Sequence, residues 1–415
     1  MSVETITLGC RLNFAESETI ARTASPNEDW VVVNSCAVTN EAVRQTRQAI
    51  RRVHRERRSA KILVTGCAAE LDMPSFAAMP EVSRVVGNAG KLHAFAPYRH
   101  PGRDPGPAFS FLTQGRQAPA QGRGDECDVM APAGFQGHVR SFVAVQTGCD
   151  HRCTFCSIWQ ARGRSQSLPF ELIRDAVARE IDRGAKEIVL TGVDITDYVG
   201  GLGRLCQRLF AAEPRLRRLR LSSLDGVEID EPLFELIAGE PKLLPHFHLS
   251  LQAGDDMILK RMKRRHSRAD AVSTVERIKK ARPDATIGAD FIAGFPTESE
   301  EMSLNSLKLL EDCDVVAAQV FPFSPRPNTP AARMPQLSRE VVKARAARLR
   351  KAAAELRAQW LDSLVGTVQP VLIENHGKGH TDNFAPVTID GALRGEMGMA
   401  RLVDRNGDHL KAVWA

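Results

Sequence analysis

The sequence of 415 residues predicts an α/β protein in three parts, and three observations carry this prediction. Strand and helix patterns alternate over residues 1–95, which predicts a Rossmann-like parallel sheet with helices on its faces. Six further strand–helix pairs lie within residues 139–345 and predict a partial (β/α)6 barrel of the TIM type. After Gly366 the pattern changes to short runs of β-forming residues, which predict a small all-β unit.

The composition indicates a globular protein whose fold does not depend on disulfides. Hydrophobic residues make up 43% of the chain and charged residues 26%, which are ordinary values for such proteins. No apolar run reaches the roughly 18 residues that a membrane span needs, and residues 1–5 lack the features of a secretory signal. Nine cysteines spread over the chain argue against a disulfide scaffold, so we expect a cytoplasmic protein. The net charge of +6 permits a nucleic-acid partner without requiring one.

Three predicted strands of the N-terminal part each end just before a cysteine. Strands are expected at 6–8, 30–34, 61–65 and 82–86, with helices at 15–24 and 41–58. Cys10, Cys36 and Cys67 follow the first three strands, and ligands of a parallel sheet sit beyond the carboxyl ends of its strands. We therefore expect the three thiols to converge as ligands of an iron–sulfur cluster with one open iron. Taken singly, each cysteine could instead be a small buried hydrophobic residue.

A second cysteine motif follows the first strand of the predicted barrel. Cys149, Cys153 and Cys156 have the spacing C-x3-C-x2-C. Full ligation of a four-iron cluster needs four thiolates, so three leave one iron open for chemistry. The alternatives are a zinc site or unrelated core cysteines. Zinc sites usually show paired ligands, whereas the next histidine after His151 is His246.

The predicted barrel has a regular order of elements. Its strands are expected at 142–146, 187–190, 219–222, 246–251, 286–292 and 315–321, and its helices at 170–182, 202–211, 231–238, 269–281 and 300–311. The segment between the two α/β parts, 96–138, is rich in glycine and proline and predicts a flexible linker in which Cys127 is a free thiol. Residues 346–365 are expected to form a connecting helix ahead of the β unit at 366–415.

Two basic runs have two interpretations each. Helical spacing places Arg44, Arg51, Arg55 and Arg58 on one face of the first, and residues 260–268 form the second. Both are either solvated helix surfaces or phosphate contacts, whose binding to RNA would be sensitive to salt.

The two cysteine sets together resemble those of the radical S-adenosylmethionine methylthiotransferases. The C-x3-C-x2-C motif is similar to the superfamily signature, and segments 7–13 (Thr-Leu-Gly-Cys-Arg-Leu-Asn), 34–39 (Asn-Ser-Cys-Ala-Val-Thr) and 65–68 (Thr-Gly-Cys-Ala) resemble the family's N-terminal domain. The resemblance implies two 4Fe–4S clusters and six catalytic cysteines. One cluster, on Cys149, Cys153 and Cys156, binds S-adenosylmethionine and cleaves it to a 5′-deoxyadenosyl radical. The auxiliary cluster, on Cys10, Cys36 and Cys67, carries the sulfur or methylthio group that is inserted.

The residues after the first two N-terminal cysteines resemble one branch of that family. Segments 10–13 and 36–40 are similar to the branch that acts on N6-threonylcarbamoyladenosine in tRNA, whereas other branches usually have Gln-Met or Pro-Lys after the first cysteine. The implied reaction converts C2–H of that nucleoside, next to the anticodon at position 37, into C2–SCH3. One S-adenosylmethionine is the methyl donor and another is the radical source. Three alternatives stay open: isopentenyladenosine tRNA as substrate, a ribosomal protein side chain as substrate, or a non-catalytic redox sensor that binds RNA.

The resemblance extends to further residues and to partners. Loops at the catalytic face of the barrel match family positions and imply cofactor-binding roles for Phe155, Arg162, Asp194, Ser222, Gln252, Asp290, Gly294 and Phe321. Ser222 could equally be an ordinary cap residue, and Trp159 replaces the Pro-Tyr that relatives often carry. The β unit resembles the TRAM-like RNA-binding barrel that ends many family members. The implied partners are tRNA and an electron donor such as flavodoxin or ferredoxin, with the protein acting as a monomer.

Overall fold

The computed structural model describes residues 3–24, 28–95, 133–134 and 138–415. Its N-terminal part is a parallel sheet in the order β1-β2-β3-β4, made of Glu4–Thr7 (β1), Trp30–Ser35 (β2), Lys61–Gly66 (β3) and Arg84–Val85 (β4). The helices between these strands are Arg11–Thr23 (α1), Asn40–Glu56 (α2), Cys67–Leu71 (α3) and Met73–Ala77 (α4). The central apolar residues of β2 and β3, at 31–33 and 62–64, are fully buried, as expected for inner strands covered by helices on both faces. The predicted parallel sheet is confirmed.

The central part is an open partial barrel. One sheet has the order β10-β9-β6-β5 and the next has the order β11-β12-β13-β14. The strands are Ala133–Gly134 (β5), Arg140–Ala144 (β6), Glu187–Thr191 (β9), Leu219–Leu221 (β10), Ser223–Leu224 (β11), His246–Gln252 (β12), Thr286–Ala293 (β13) and Val315–Pro322 (β14), with a small antiparallel pair formed by Gln146–Thr147 (β7) and Gln166–Ser167 (β8). Only Ser222 separates β10 from β11, so these are two halves of one strand and six β/α units result. The predicted barrel is confirmed.

The predicted helices pack on the outside of this barrel. They are Phe170–Asp182 (α6), Leu202–Ala212 (α7), Glu231–Gly239 (α8), Arg268–Ala281 (α10) and Glu300–Asp312 (α11). Two shorter helices, Ile158–Arg162 (α5) and Asp256–Met262 (α9), follow β7 and β12. The sequence did not predict α5 or α9, because helices of one or two turns are too short to show a periodic apolar face. Within the described ranges, no helix combines the length and apolar character that crossing a membrane requires.

The segment predicted as a linker differs from the prediction at its described end. Most of 96–138, including Cys127, lies outside the described residues. Ala133–Gly134 forms β5, which pairs antiparallel with β6. Ala133 is 3% exposed and its amide donates to Oγ1 of Thr19 on α1 at 3.1 Å. These two residues therefore belong to the edge of the barrel.

A long helix leads to the C-terminal barrel. Arg339–Leu364 (α12) begins before the boundary expected at 346, and the Ser338 side chain caps its first turn. The barrel is closed in the order β15-β16-β17-β19-β18, with Val368–Asn375 (β15), Lys378–Thr381 (β16), Pro386–Thr388 (β17), Met397–Asn406 (β18) and His409–Trp414 (β19). The sequence indicated three of these strands and missed β16, which is short and polar, and β19.

The C-terminal barrel docks on the amino-terminal end of the partial barrel. The ring of Phe384 stacks on His246, the first residue of β12, with centroids 5.0 Å apart. Oγ1 of Thr286, which begins β13, donates to the carbonyl of Asn383 at 2.7 Å, and Nη1 of Arg220 donates to the carbonyl of Asp382 at 3.0 Å. This docking covers one end of the partial barrel and leaves the carboxyl ends of its strands for a functional site.

Candidate active site

A cavity of about 200 Å³ lies at the carboxyl ends of the barrel strands. The residues lining it include all three cysteines of the C-x3-C-x2-C motif and three of the residues predicted to bind a cofactor, Phe155, Asp194 and Gln252. Gln252 ends β12 with φ +68°, a left-handed backbone that is uncommon for a residue with a side chain and that concentrates at functional sites.

Five predicted cofactor-binding residues lie outside this lining. Ser222 is buried between β10 and β11, and its Oγ has no hydrogen-bond partner among the described residues. Asp290 bonds His248 Nε2 at 3.0 Å within the barrel. Phe321 is half-buried in β14, opposite Ile292. The sequence placed these residues near the correct strand ends but could not show which way each side chain points.

Gly294 has a structural reason to be glycine. Its φ is +73°, and a Cβ there would lie 2.8 Å from Cγ2 of Val342 on α12. Its amide donates to Oε2 of Glu298 at 3.1 Å, and that carboxylate also pairs with Arg345 of α12 at 2.8 Å. Close packing of α12 on the strand end therefore accounts for this residue.

The loop that carries the C-x3-C-x2-C motif is held from two sides. Gly148 has φ +73°, and a Cβ there would lie 1.8 Å from the carbonyl oxygen of Arg164. The buried Gln146 side chain donates from Nε2 to the Gly148 carbonyl at 2.9 Å. Its Oε1 accepts from the amides of Val193 and Asp194 at 3.0 and 2.9 Å. One side chain therefore fixes the cysteine loop relative to the loop after β9.

The thiols of this loop favour the neutral form in the metal-free protein. Burial raises the pKa of Cys149 to about 12 and that of Cys156 to about 11. Nη1 of Arg264 lies 3.6 Å from Sγ of Cys153, and the Ile158 amide donates to Sγ of Cys156 at 3.4 Å. A bound metal that replaces the protons on three such thiols removes the cost of burying them as thiolates. The donor set and the adjacent cavity fit a 4Fe–4S cluster with one position open to a ligand.

The three N-terminal cysteines converge at one edge of their sheet. Cys10 precedes α1, Cys36 follows β2, and Cys67 begins α3. Burial, with a smaller contribution from the neighbouring thiols of Cys10 and Cys67, raises the pKa of Cys36 to about 11. A Cβ on Gly9, whose φ is +94°, would lie 2.6 Å from Sγ of Cys36, so only glycine allows this approach. Three free thiols, with no fourth cysteine beside them among the residues that the structure describes, again fit a cluster with one open iron.

The two cysteine sets lie close to each other, next to helix α5. Ile158 and Ala161 of α5 pack into the hydrophobic core of the N-terminal sheet, together with Cys67. The Cys67 thiol is close enough to Cys156 to contribute to raising the pKa of Cys156, after the larger effect of burial. The α5 helix therefore belongs to both sites and fixes their relative position.

Arg162 lies at the junction rather than in the cavity. Its Nε donates to Sγ of Cys67 at 3.2 Å, and its Nη1 pairs with Glu16 Oε1 at 2.9 Å. The predicted role in binding the cofactor in the barrel is therefore not reflected in its contacts. The end of α5 directs this side chain toward the N-terminal sheet, which no spacing in the sequence reveals.

Sequence reasoning missed Arg264 as a cavity residue. It was assigned to a basic run, but its side chain is 7% exposed and its Nη2 pairs with Asp225 at 2.8 Å. Lys263 ends α9 with φ 58°, a left-handed helix stop that turns the following residue inward. His151 was also missed; its Nε2 lies 3.2 Å from Asp194 in the cavity wall. No sequence signal marks either side chain.

The fold and this site are those of a radical S-adenosylmethionine protein. A family model described as "Radical SAM superfamily" matches residues 143–310, and one described as "Uncharacterized protein family UPF0004" matches residues 2–87. Among solved structures, the radical S-adenosylmethionine methyltransferase TsrM from Kitasatospora setae has a TM-score of 0.55 at 14% identity, covering 80% of this chain and 74% of that chain. That likeness concerns the fold alone.

Curated relatives define the family more narrowly. Threonylcarbamoyladenosine tRNA methylthiotransferase MtaB of Rickettsia prowazekii is 40% identical over 99% of this chain and 97% of its own length. The MtaB of Thermotoga maritima is 31% identical over 89% of this chain and 85% of its own length. A tRNA-2-methylthio-N(6)-dimethylallyladenosine synthase of Erythrobacter litoralis is also 31% identical, over 97% of this chain and 94% of its own length. The chain belongs to the radical S-adenosylmethionine methylthiotransferase family, most like its MtaB-type members.

Proposed function

We propose that this protein is a tRNA methylthiotransferase that converts C2–H of N6-threonylcarbamoyladenosine at position 37 into C2–SCH3. The observation that carries the proposal is the proximity of two sets of three thiols, represented by Cys67 and Cys156, next to one short helix that packs into the core around Cys67. A reaction that needs both a radical at the substrate carbon and a sulfur donor needs two such centres side by side. The name of the relative at 40% identity supports the choice of nucleoside.

Each set of thiols has its own task in this proposal. Cys149, Cys153 and Cys156 hold the radical-generating 4Fe–4S cluster, and Cys10, Cys36 and Cys67 hold the auxiliary cluster. When bound, the clusters and S-adenosylmethionine supply the 5′-deoxyadenosyl radical and the methylthio group. An electron donor such as flavodoxin or ferredoxin reduces the protein. Because one chain contributes all six cysteines, the protein acts as a monomer, in the cytoplasm where tRNA is modified.

The polar wall of the cavity orients the cofactor in this proposal. S-adenosylmethionine carries an amino group and a carboxylate, and the wall offers groups of both signs. The Asp194 carboxyl, whose pKa is raised by burial, would contact the amino group of the cofactor. Asp225 offers a second acceptor, a buried Oδ1 without a partner among the described residues. The Arg264 guanidinium offers the positive charge for the carboxylate. Gln146 bonds both the Gly148 carbonyl and the Asp194 amide, and so keeps the loop of Asp194 next to the cysteine loop.

The tRNA would lie over exposed basic and apolar surface. In α2 and the two residues after it, Arg44 and Arg57 are already paired with neighbouring carboxylates. This leaves the exposed Arg55 and Arg58 as the better phosphate contacts. The outer face of β18 and β19 in the C-terminal barrel exposes a mixture of cationic and apolar side chains, namely Met397, Met399, Arg401, Val403, Lys411, Val413 and Trp414. Such mixed faces suit RNA, whose bases stack and whose phosphates attract cations.

A second substrate has support from one comparison. The relative from Erythrobacter litoralis matches 97% of this chain and is named for a dimethylallyladenosine product. Dimethylallyladenosine lacks the carboxylate of the threonylcarbamoyl group, so the two nucleosides differ in charge as well as in shape. A direct comparison of the two RNAs therefore separates the candidates.

Reconstituted protein tests the proposal with two anticodon stem-loops, one carrying each nucleoside. We expect methylthiolation of the threonylcarbamoyl RNA, release of 5′-deoxyadenosine, and little product from the dimethylallyl RNA. Cys153→Ala should abolish cofactor cleavage, whereas Cys36→Ala should keep cleavage and lose the methylthio product. Cys313→Ala, a buried cysteine of the barrel core, is the matched control and should keep both. Product from the Cys36→Ala protein would refute the role of the auxiliary cluster.

A further inference from the structure

Arg162 connects the radical-generating loop to the auxiliary cysteines through buried contacts. It is the last residue of α5, the helix that follows Cys156, and its side chain is 3% exposed. Nε donates to Sγ of Cys67 at 3.2 Å, while Nη2 donates to Oδ1 of Asn13 at 2.6 Å and to Oε2 of Glu16 at 3.0 Å. Every nitrogen of the guanidinium is thus engaged, and one of them is directed at a cluster ligand.

The charges around this arginine form a small buried network. Glu16 is 5% exposed and also bonds Nζ of Lys91, which is 1% exposed. Nζ of Lys91 donates to Oδ1 of Asn88 at 2.9 Å. Burial alone would raise the pKa of Glu16, but Arg162 and Lys91 lower it to about 2, so this carboxyl stays charged. Two buried cations therefore face one buried anion, and the excess positive charge lies beside Cys67.

Buried charge without compensation is costly, so an anion is expected at this place. Nε of Arg162 donates to Sγ of Cys67 at 3.2 Å, so the positive charge of the network faces a cluster ligand directly. A thiolate of Cys67 bound to an anionic cluster would supply the missing negative charge. The network is therefore complementary to a loaded auxiliary site.

We propose that Arg162 is a positioning residue that sets the reduction potential of the auxiliary cluster. The inference rests on the proposed function, since it requires a cluster on Cys10, Cys36 and Cys67. Reduction adds one electron from a donor of the ferredoxin or flavodoxin class and breaks no bond. Net charge and hydrogen bonds to the ligand sulfurs set such potentials, and a buried cation favours the extra negative charge of the reduced form. Arg162 makes the auxiliary cluster easier to reduce.

The test isolates the auxiliary cluster in the full chain. In a parent protein with Cys149, Cys153 and Cys156 all changed to Ala, the remaining cluster is reconstituted and titrated with dithionite, and its reduced fraction is followed by electron paramagnetic resonance. Arg162→Gln should lower the ratio of reduced to oxidised cluster at least tenfold at the parent's midpoint, which corresponds to about 59 mV for one electron. Arg164→Gln removes the same charge from a side chain that is 83% exposed and should leave the midpoint unchanged.

Two further variants keep the test decisive if Arg162→Gln loses its cluster. Glu16→Gln removes the anion and keeps Arg162, so the midpoint should rise. Arg162→Lys keeps the positive charge but loses the planar set of donors. Its midpoint potential should lie between those of the parent and Arg162→Gln. If clusters form and the midpoints of these variants equal that of the parent, the inference is overturned and the two-cluster proposal stands. If the parent binds no cluster at all, the proposed function fails together with the inference.

Discussion

Arg326 donates from Nη2 to the carbonyl of Ala37 at 2.5 Å, which joins the loop after the last barrel strand to the loop after Cys36. Its Nη1 donates to Oδ1 of Asn40 at 2.5 Å, and Nδ2 of Asn40 donates back to the carbonyl of Pro325 at 3.3 Å. Arg326 is 5% exposed, and burial lowers the pKa of its guanidinium, whereas the nearby Cys36 and Cys156 raise it by less. This contact and α5 together hold the two cysteine sets in register.

Arg326→Met should loosen the start of α2. The substitution leaves the Ala37 carbonyl without its charged donor, and hydrogen bonds to charged groups contribute about 1.5–3 kcal/mol each. Hydrogen–deuterium exchange of the amides in the first turn of α2 should accelerate by the equivalent of about 2 kcal/mol. Arg333→Met changes an exposed arginine of the same segment and should leave this exchange unchanged. Unaltered protection in Arg326→Met would show that the contact does not hold the domains together.

Gly148→Ala should prevent loading of the radical-generating cluster. The new Cβ would lie 1.8 Å from the carbonyl of Arg164, so the cysteine loop has to move. Gly184→Ala, after α6, is the matched control, because Gly184 also has a positive φ, +97°, but nothing within 4 Å of its Cβ position. The control should only carry backbone strain, about 1–3 kcal/mol. Iron content after reconstitution is the measurement, and equal iron in the two variants would contradict the role of Gly148.

Gln146→Leu should weaken binding of S-adenosylmethionine about tenfold. The substitution leaves the buried amides of Val193 and Asp194 without their acceptor, and each unsatisfied buried group costs about 1–3 kcal/mol. The loop after β9 should then shift away from the cavity. Equilibrium dialysis with the reconstituted protein measures the Kd. Gln207→Leu on the exposed face of α7 is the control, and an unchanged Kd in Gln146→Leu would show that the loop is fixed by other contacts.

Binding of a soft metal to the metal-free protein should strengthen as the pH rises. The pKa is about 11 for Cys36 and Cys156 and about 12 for Cys149, so these thiols are protonated near neutral pH. Each must lose its proton when it binds metal, and affinity therefore rises with pH until the pH reaches the pKa. Titration with Cd2+ between about pH 7 and pH 9, followed by thiolate absorption, should show this dependence. Cys36→Ser should release one proton fewer, and an affinity independent of pH would contradict the raised pKa values.

The positions of the six cysteines could be predicted because they depend on local rules. Strand ends are visible as apolar runs, and parallel strands end at a common edge, so Cys10, Cys36 and Cys67 had to meet. The placement of Asp194 and Gln252 at the barrel mouth followed from the same rule, and both line the cavity.

Contacts between parts of the fold could not be predicted in the same way. Arg162 reaches Cys67 because α5 packs into the N-terminal core, and Arg264 enters the cavity because Lys263 stops α9 in a left-handed turn. Phe384 docks the C-terminal barrel on His246, but in the sequence it is one apolar residue of a short β run like the others. These side chains act over long sequence separations, and no periodic pattern records such contacts.

The central claim is methylthiolation of a tRNA nucleoside, and mass spectrometry of tRNA nucleosides tests it most directly. The comparison is between cells that lack this protein and the same cells complemented with it, with the Cys36→Ala variant as a further complementation. In cells that lack the protein we expect loss of 2-methylthio-N6-threonylcarbamoyladenosine and accumulation of N6-threonylcarbamoyladenosine. Only the unaltered protein should restore the methylthio nucleoside. Unchanged levels of every methylthio nucleoside in cells that lack the protein would contradict it and remove tRNA as the substrate.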